Sequence, residues 1–408
     1  MKNKMEHWLY IEPYVHIIAR KSTVLLYSSV TRKFWQFNEL PEISSIIHKL
    51  MDPDNGYVVK IDPDLMEHSQ VKQFISNIRR KYLGDLLPVS DEANKPFNIF
   101  PAPIVKKKAP RELKYHLREI SFHITDLPDN TTKSITDGFY QLGLGGLSCR
   151  KGFRLPVEKI RHIVQQVTSF KALTLNFSGI PYQDDEYFSL INQIAINYPF
   201  QLRVFATAER AYRFTRDQMP RNAQLVVFMI PDKKKETLEF LEWMTKIESD
   251  QRNTEVQFIV RNTREVDMAL KLLSEHPVKH FLFKPYYNGH NIDFFFDQVF
   301  TGIEDIALSR PGQNQVFSRK IMNDNDIGKI NILPDGSVFA NVNDAELGNV
   351  DNDSLAIMVE KEVTSGKSWF RNRTKVLPCS DCIYQFLCPP ISNYELTLKR
   401  FNLCKIQD

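Results

Sequence analysis

Four cysteines stand within the last thirty residues of this 408-residue chain: Cys379, Cys382, Cys388 and Cys404. Their spacing is Cys-x2-Cys-x5-Cys-x15-Cys. Two thiolates two residues apart can turn onto one metal centre, and Pro378, Pro389 and Pro390 stiffen the loop that carries them. Four thiolates suit either tetrahedral Zn²⁺ or a [4Fe–4S] cluster. Spacing by itself leaves both open, and where thiols are kept reduced a disulfide pair is the weaker alternative. The fifth cysteine, Cys149, stands alone.

Other reactive constellations are sparse. The sequence has no GxGxxG, GxxxxGK[ST], GxSxG or HExxH motif. With 15 Gly in 408 residues, loops that cradle phosphate are scarce. His123, Asp126 and Asp184 are the candidate acid–base groups. A lone His inside a strand is more often a hydrogen-bonded structural residue. Asp184 and Asp185 open a helix and read more simply as caps. Arg203, Arg210, Arg213, Arg216 and Arg221 gather in one stretch, which reads as a solvated face or as a grip for an acidic peptide.

Three blocks must position these residues. Residues 1–88 hold two short β-branched and aromatic runs, Thr23–Ser28 and Lys33–Asn38. A helical pattern follows at Ile43, Ile46, Ile47 and Leu50, then a strand at 57–61 and a second helix whose inner face is Val71, Phe74, Ile75, Ile78 and Tyr82. The pattern is a small winged-helix-like α+β module, either a structural cap or an acceptor of an extended peptide as an added strand. Residues 89–110 form a Pro-rich linker with Lys106-Lys107-Lys108.

From 111 to 309, six apolar runs alternate with amphipathic helices: 120–125, 172–177, 201–206, 224–230, 255–261 and 279–283. Strand starts recur at the spacing of a βα repeat, which predicts an α/β parallel sheet, open barrel or doubly wound, with chemistry beyond the C-terminal strand ends. Thr263 occupies an N-cap position, and the helix after it has Val266, Ala269, Leu270 and Leu273 as its apolar face. The last block, 310–408, opens with a hairpin over 329–340 that turns at Asp335-Gly336 and ends in the cysteines.

Composition narrows the partners. Lys and Arg number 53 against 49 Asp and Glu, a near balance that argues against nucleic-acid binding. No apolar run of membrane-spanning length and no signal core is present, so the expected compartment is the cytoplasm, with no membrane partner.

The C-terminal block resembles a SPASM domain, the auxiliary-cluster module of radical-SAM peptide maturases. Where that family has cysteines five residues after Gly336 and four after Cys388, this chain has Asn341 and Ser392. The resemblance implies that Cys379, Cys382, Cys388 and Cys404 are the ligands of one auxiliary [4Fe–4S] cluster, with zinc as the alternative, and that an inner cluster's set is lost. The middle block is similar to the partial (β/α)6 barrel of the same enzymes. Their Cys-x3-Cys-x2-Cys is missing from 126–141, and their Gly-Gly-Glu-Pro appears as Ser178-Gly179-Ile180-Pro181. An alkyl group there cannot pair with an ammonium, so S-adenosylmethionine is not expected as a cofactor and no catalytic residue is assigned.

The first block resembles the peptide-recognition element of ribosomal-peptide (RiPP) pathways. The whole chain is similar to the pseudo-radical-SAM proteins found beside intact maturases in Bacteroidales loci. That resemblance implies a non-catalytic accessory whose partners are a precursor's leader peptide and an intact radical-SAM maturase. An enzyme that uses the barrel mouth without radical chemistry, and a zinc-stabilised scaffold, are the alternatives.

Overall fold

The computed structural model describes residues 5–90, 94–96, 117–125, 138–143, 152–181, 184–211, 219–220, 222–232, 234–246 and 253–406. Asp126, Cys149, Arg213, Arg216, Arg221, Lys106-Lys107-Lys108 and most of the Pro-rich stretch lie outside them.

The first 90 residues run β1 (His7–Ile11), β2 (Val15–Arg20), β3 (Thr23–Ser28), β4 (Lys33–Asn38), α1 (Pro41–Met51), β5 (Val58–Ile61), α2 (Pro63–Glu67), α3 (Ser69–Arg80) and β6 (Gly84–Pro88). The i, i+3, i+4, i+7 spacing of Ile43, Ile46, Ile47 and Leu50 makes one apolar stripe on α1, and all four are buried. Helix α3 repeats the device with Val71, Phe74, Ile75 and Ile78, but Tyr82, expected on the same face, lies past the helix end at φ +56° and is 74% exposed. Both stripes pack with Val24 and Leu26, which leave one face of β3. The strands form two antiparallel sheets, ordered β5-β1-β6 and β2-β3-β4. The opposite face of the second sheet carries Ile18, Leu25 and Tyr27, which pack on the C-terminal block beside Tyr384, Leu387 and Cys388. Strands β2 and β3 are therefore covered on both faces, while β4 stays partly exposed.

The middle of the chain runs β7 (Glu119–His123), α4 (Gly138–Leu142), α5 (Val157–Gln166), β8 (Thr174–Ser178), α6 (Asp185–Asn197), β9 (Gln201–Thr207), α7 (Ala208–Ala211), β10 (Ala223–Met229), α8 (Lys234–Lys246), β11 (Thr254–Val260), α9 (Thr263–Glu275) and β12 (Phe281–Pro285). Strands β7 to β12 are parallel and lie in chain order. Each crossover steps one strand in the same direction, so the order never reverses as it does in a doubly wound sheet. Residues of β7 and β12, near opposite ends of this run, line one shared cavity, so the sheet curves around it.

The C-terminal part runs α10 (Ile292–Val299), α11 (Ile303–Ser309), α12 (Gln313–Ile321), β13 (Lys329–Ile332), β14 (Ser337–Phe339), β15 (Gly348–Asn349), α13 (Leu355–Ser365) and α14 (Asn393–Thr397). The hairpin expected at Asp335-Gly336 forms, with Gly336 at φ +85°. Strand β13 then adds to β7 in parallel, so the hairpin extends the central sheet to nine strands. Trp369, fully buried, donates its indole N–H to the Lys329 carbonyl at 2.9 Å and fixes the chain after α13 against this junction.

Two expectations for α9 are corrected. The cap of α9 is Asn262, whose side chain accepts from the Glu265 amide at 2.9 Å, and Thr263 is already helical. The buried face of α9 is Glu265, Ala269 and Leu272, while Leu270 points outward at 49% exposed. A charge can sit inside there because Arg261 meets it with two nitrogens, Nε at 2.9 Å and Nη2 at 2.6 Å from Oε1. Among the described residues no helix is long and apolar enough to cross a membrane.

Candidate functional site

The cysteine loop is held by turns and by one 3-10 turn over Cys379–Asp381. Backbone bonds Cys382 N to Cys379 O and Cys388 N to Tyr384 O fold it on itself. Cys404 arrives from the far side, where Thr301 N donates to Leu403 O and Lys405 N to Thr301 O. As a result Cys379, Cys382, Cys388 and Cys404 all line one cavity of about 50 Å³, together with Arg373 and Leu403. None of the four is joined in a disulfide. One water needs about 10–15 Å³, so the sulfurs line a gap large enough for a small occupant. Among the described residues no three Cys, His, Asp or Glu side chains are drawn close enough to hold a metal ion in their present positions.

The charge of the site comes from Arg373. Its Nη1 lies 3.3 Å from Cys379 Sγ, 2.9 Å from Glu395 Oε1 and 3.1 Å from the Phe401 carbonyl, and its Nε donates to the Pro389 carbonyl at 2.7 Å. Burial alone would lower the guanidinium, but Glu395, Cys388 and Cys379 outweigh it and raise its pKa. Burial pushes the Cys388 thiol up to about 12 and raises Cys379 against the pull of Arg373. Cys379 donates its thiol proton to the Phe401 carbonyl at 3.0 Å. The donor set fits a soft metal centre: four sulfurs on one cavity, with a fixed cation to offset thiolate charge.

Asn341 and Ser392 stand in polar networks. Asn341, 4% exposed, donates to Asp326 Oδ1 at 2.9 Å and Asn393 Oδ1 at 2.8 Å. Ser392 caps α14 in a reciprocal box with Glu395. Ile180, at 2% exposed, lies in the main apolar core. The preceding Gly179, at φ +73°, passes so close to the chain just after β7 that a Cβ would meet the Thr125 carbonyl at 2.5 Å.

The acid–base candidates are not assembled. His123 is 2% exposed, with Nδ1 3.0 Å from Ser178 Oγ and Nε2 3.3 Å from Asn331 Oδ1. Burial pushes its pKa down to about 4, so the ring is neutral at physiological pH. Asp184 caps α6 and pairs with Arg154. Arg210 lies on α7, whereas Arg203 turns inward from β9.

Sequence reading missed the cavity on the concave face of the central sheet. It measures about 280 Å³ and is lined by polar residues from successive strands, including Glu119, Asn176, Arg203, Gln257 and Lys284. The signal was available: parallel strands buried on both faces normally read as unbroken apolar runs. Here Glu119, Ser121 and His123 alternate with apolar neighbours, as do Asn176 and Ser178.

On the N-terminal module, β4 is the last strand of its sheet, and among the described residues its outer backbone edge has no strand partner. Trp35 and Phe37 project from it with ring centroids 4.4 Å apart, and both lie within 6 Å of Phe74 on α3.

Comparison with known proteins adds structural likeness only. No protein-family model matches the sequence, and no curated protein matches it significantly. The fold is similar to the crystal structure of SuiB from Streptococcus suis bound to the precursor peptide SuiA, with a TM-score of 0.46 and 11% identity, across 98% of this chain and 100% of that one.

Proposed function

We propose that this chain is a non-catalytic accessory of ribosomal-peptide maturation, with a SPASM-like C-terminal domain and a radical-SAM-like partial barrel that lacks its cluster site. It holds a precursor's leader as an added strand and works beside a catalytically intact radical-SAM maturase. The observation that carries this reading is the open edge of β4. An extended peptide laid along it gains main-chain hydrogen bonds, while Trp35 and Phe37, backed by Phe74, supply an aromatic floor for its side chains.

Cys379, Cys382, Cys388 and Cys404 would hold one [4Fe–4S] cluster, and zinc is the alternative occupant. A bound cluster supplies a redox couple and a cross-link between the cysteine loop and the chain end. Arg373 offsets the charge of its ligands, and Glu395 fixes Arg373. The non-catalytic part is supported by Ile180, an apolar core residue where the resembled enzymes place a carboxylate.

The test has two arms. Anaerobic reconstitution with iron and sulfide is expected to give one cluster's worth of iron per chain, and Cys382→Ala to abolish it. Stoichiometric zinc without iron would replace the iron–sulfur assignment. Titration with a synthetic leader peptide of the ribosomal-peptide precursor class is expected to show binding that Trp35→Ala weakens by about tenfold or more. Unchanged affinity in that variant would remove the edge-strand reading.

A further inference from the structure

The cavity on the concave face of the central sheet carries three unmet bonding demands. Asn176 and Gln257 are each 7% exposed and line it. Asn176 Nδ2 donates to Glu119 Oε1 at 2.7 Å and to Ser121 Oγ at 3.0 Å, while Gln257 Nε2 donates to Glu255 Oε1 at 2.6 Å. An ionised carboxylate only accepts, so both amides must turn their NH2 groups to the acids. Among the described residues, that leaves Asn176 Oδ1 and Gln257 Oε1 as buried acceptors without a partner. A buried acceptor left unmet costs about 1–3 kcal/mol.

Lys284 supplies the third demand. It reaches the cavity from β12 and has no hydrogen bond or ion pair among the described residues. Burial lowers its pKa, with Glu255 attracting and Lys329 repelling its charge. Arg203 is a second cation on the same wall. Its Nε is bonded to the neutral Gln224 side chain at 2.8 Å, and no acid pairs with it among the described residues. Lys329, by contrast, is already committed to Glu119 at 3.6 Å.

We infer that this cavity is a binding site for a small zwitterion of the free α-amino-acid class, whose carboxylate meets Lys284 and Arg203 and whose ammonium donates to Asn176 Oδ1 and Gln257 Oε1. One such molecule answers all three demands at once. An anion alone leaves the two carbonyl oxygens bare, and a cation alone leaves Lys284 bare. At about 280 Å³ the cavity lies at the lower end of the range for ligand pockets, which suits a metabolite and not a folded peptide segment. The site is separate from the β4 edge, so it stands or falls independently of the peptide reading.

The experiment screens the full-length protein by thermal shift against each of the twenty standard L-amino acids. The best binder is then titrated calorimetrically beside its deaminated and decarboxylated analogues. At least one amino acid is expected to raise Tm, and each analogue to bind about ten- to a hundredfold more weakly, the worth of a hydrogen bond to a charged group. Lys284→Met and Gln257→Leu are expected to lose the same factor while keeping the wild-type circular dichroism spectrum. Absence of any stabilising amino acid, an analogue that binds equally well, or unchanged affinity in Lys284→Met would each overturn the assignment. Unimpaired leader-peptide binding in Lys284→Met is expected, because that surface is elsewhere.

Discussion

Replacing Glu395 with Gln tests whether the ion pair beneath the cysteine loop is as buried as it looks. The side chains of Arg373 and Glu395 are 11% and 3% exposed, with Nη1 to Oε1 at 2.9 Å. The second carboxylate oxygen also caps α14 by accepting from Ser392 N at 2.8 Å. The Gln side chain keeps the size but not the charge, and it turns an NH2 group toward either the guanidinium or the cap. Arg373 would keep its carbonyl contacts at Pro389 and Phe401, yet its charge would have no acid. Removing one partner of a buried pair costs about 3–5 kcal/mol, against about 1 kcal/mol or less for an exposed pair. Urea unfolding at neutral pH, followed by tryptophan fluorescence, is expected to show the midpoint falling by about 1 M or more. The double variant Arg373→Met, Glu395→Leu is expected to recover much of the loss, because it leaves no stranded charge. A cost below about 1 kcal/mol for Glu395→Gln would refute the argument and mean that water reaches the pair.

Three further outcomes follow from single contacts. Gly179→Ala is expected to destabilise by at least about 2 kcal/mol, measured by the same unfolding, since its φ of +73° and the Thr125 carbonyl both oppose a Cβ. Tyr27→Phe removes a buried 2.7 Å bond to the Pro311 carbonyl and is expected to cost about 1–2 kcal/mol without altering the iron content of reconstituted protein. Burial, helped by Lys320, pushes His16 down to about 3, so the folded state refuses a proton that the unfolded chain takes at about 6.5. Its stabilising contribution is complete above about pH 6.5 and is lost as pH falls towards 3, at about 1.4 kcal/mol per unit. His123, pushed down to about 4, steepens the same limb, and His16→Phe is expected to flatten it in a pH series of unfolding curves.

Hydrophobic period carried most of the architecture. β3 and β4 lie where β-branched and aromatic residues cluster, and α1 and α6 bury the faces their spacing marks, as does α3 except at Tyr82, which the helix ends too early to carry inward. β6 escapes the pattern because Gly84–Pro88 is short, ends in proline and holds its form by pairing with β1, whereas β1 and β2 carry the same aromatic and β-branched signal as β3 and were legible. α9 misled because Glu265 counts as polar in any pattern, and only Arg261, brought back by the fold, makes its burial possible. The four cysteines were legible as a set from spacing. Arg373 and Glu395 were not, since nothing in their sequence neighbourhood announces the pair. The cavity lining was written as alternation within β7 and β8 but looked like noise until the sheet curved around it.

The two-sided covering of β2 and β3 bears on how the protein can be cut. Gln36 of β4 accepts a hydrogen bond from the Tyr384 hydroxyl at 2.5 Å, and Arg20 Nε reaches the Ser380 carbonyl at 3.1 Å. A fragment ending before the linker would bare Ile18, Leu25 and Tyr27 to water, a contiguous oily patch on an exposed sheet. The complementary fragment would uncover Leu387 and Cys388. Neither half is self-contained. Grafting the front module alone onto another scaffold requires those three positions to be made polar first, or the excised piece will stick to itself.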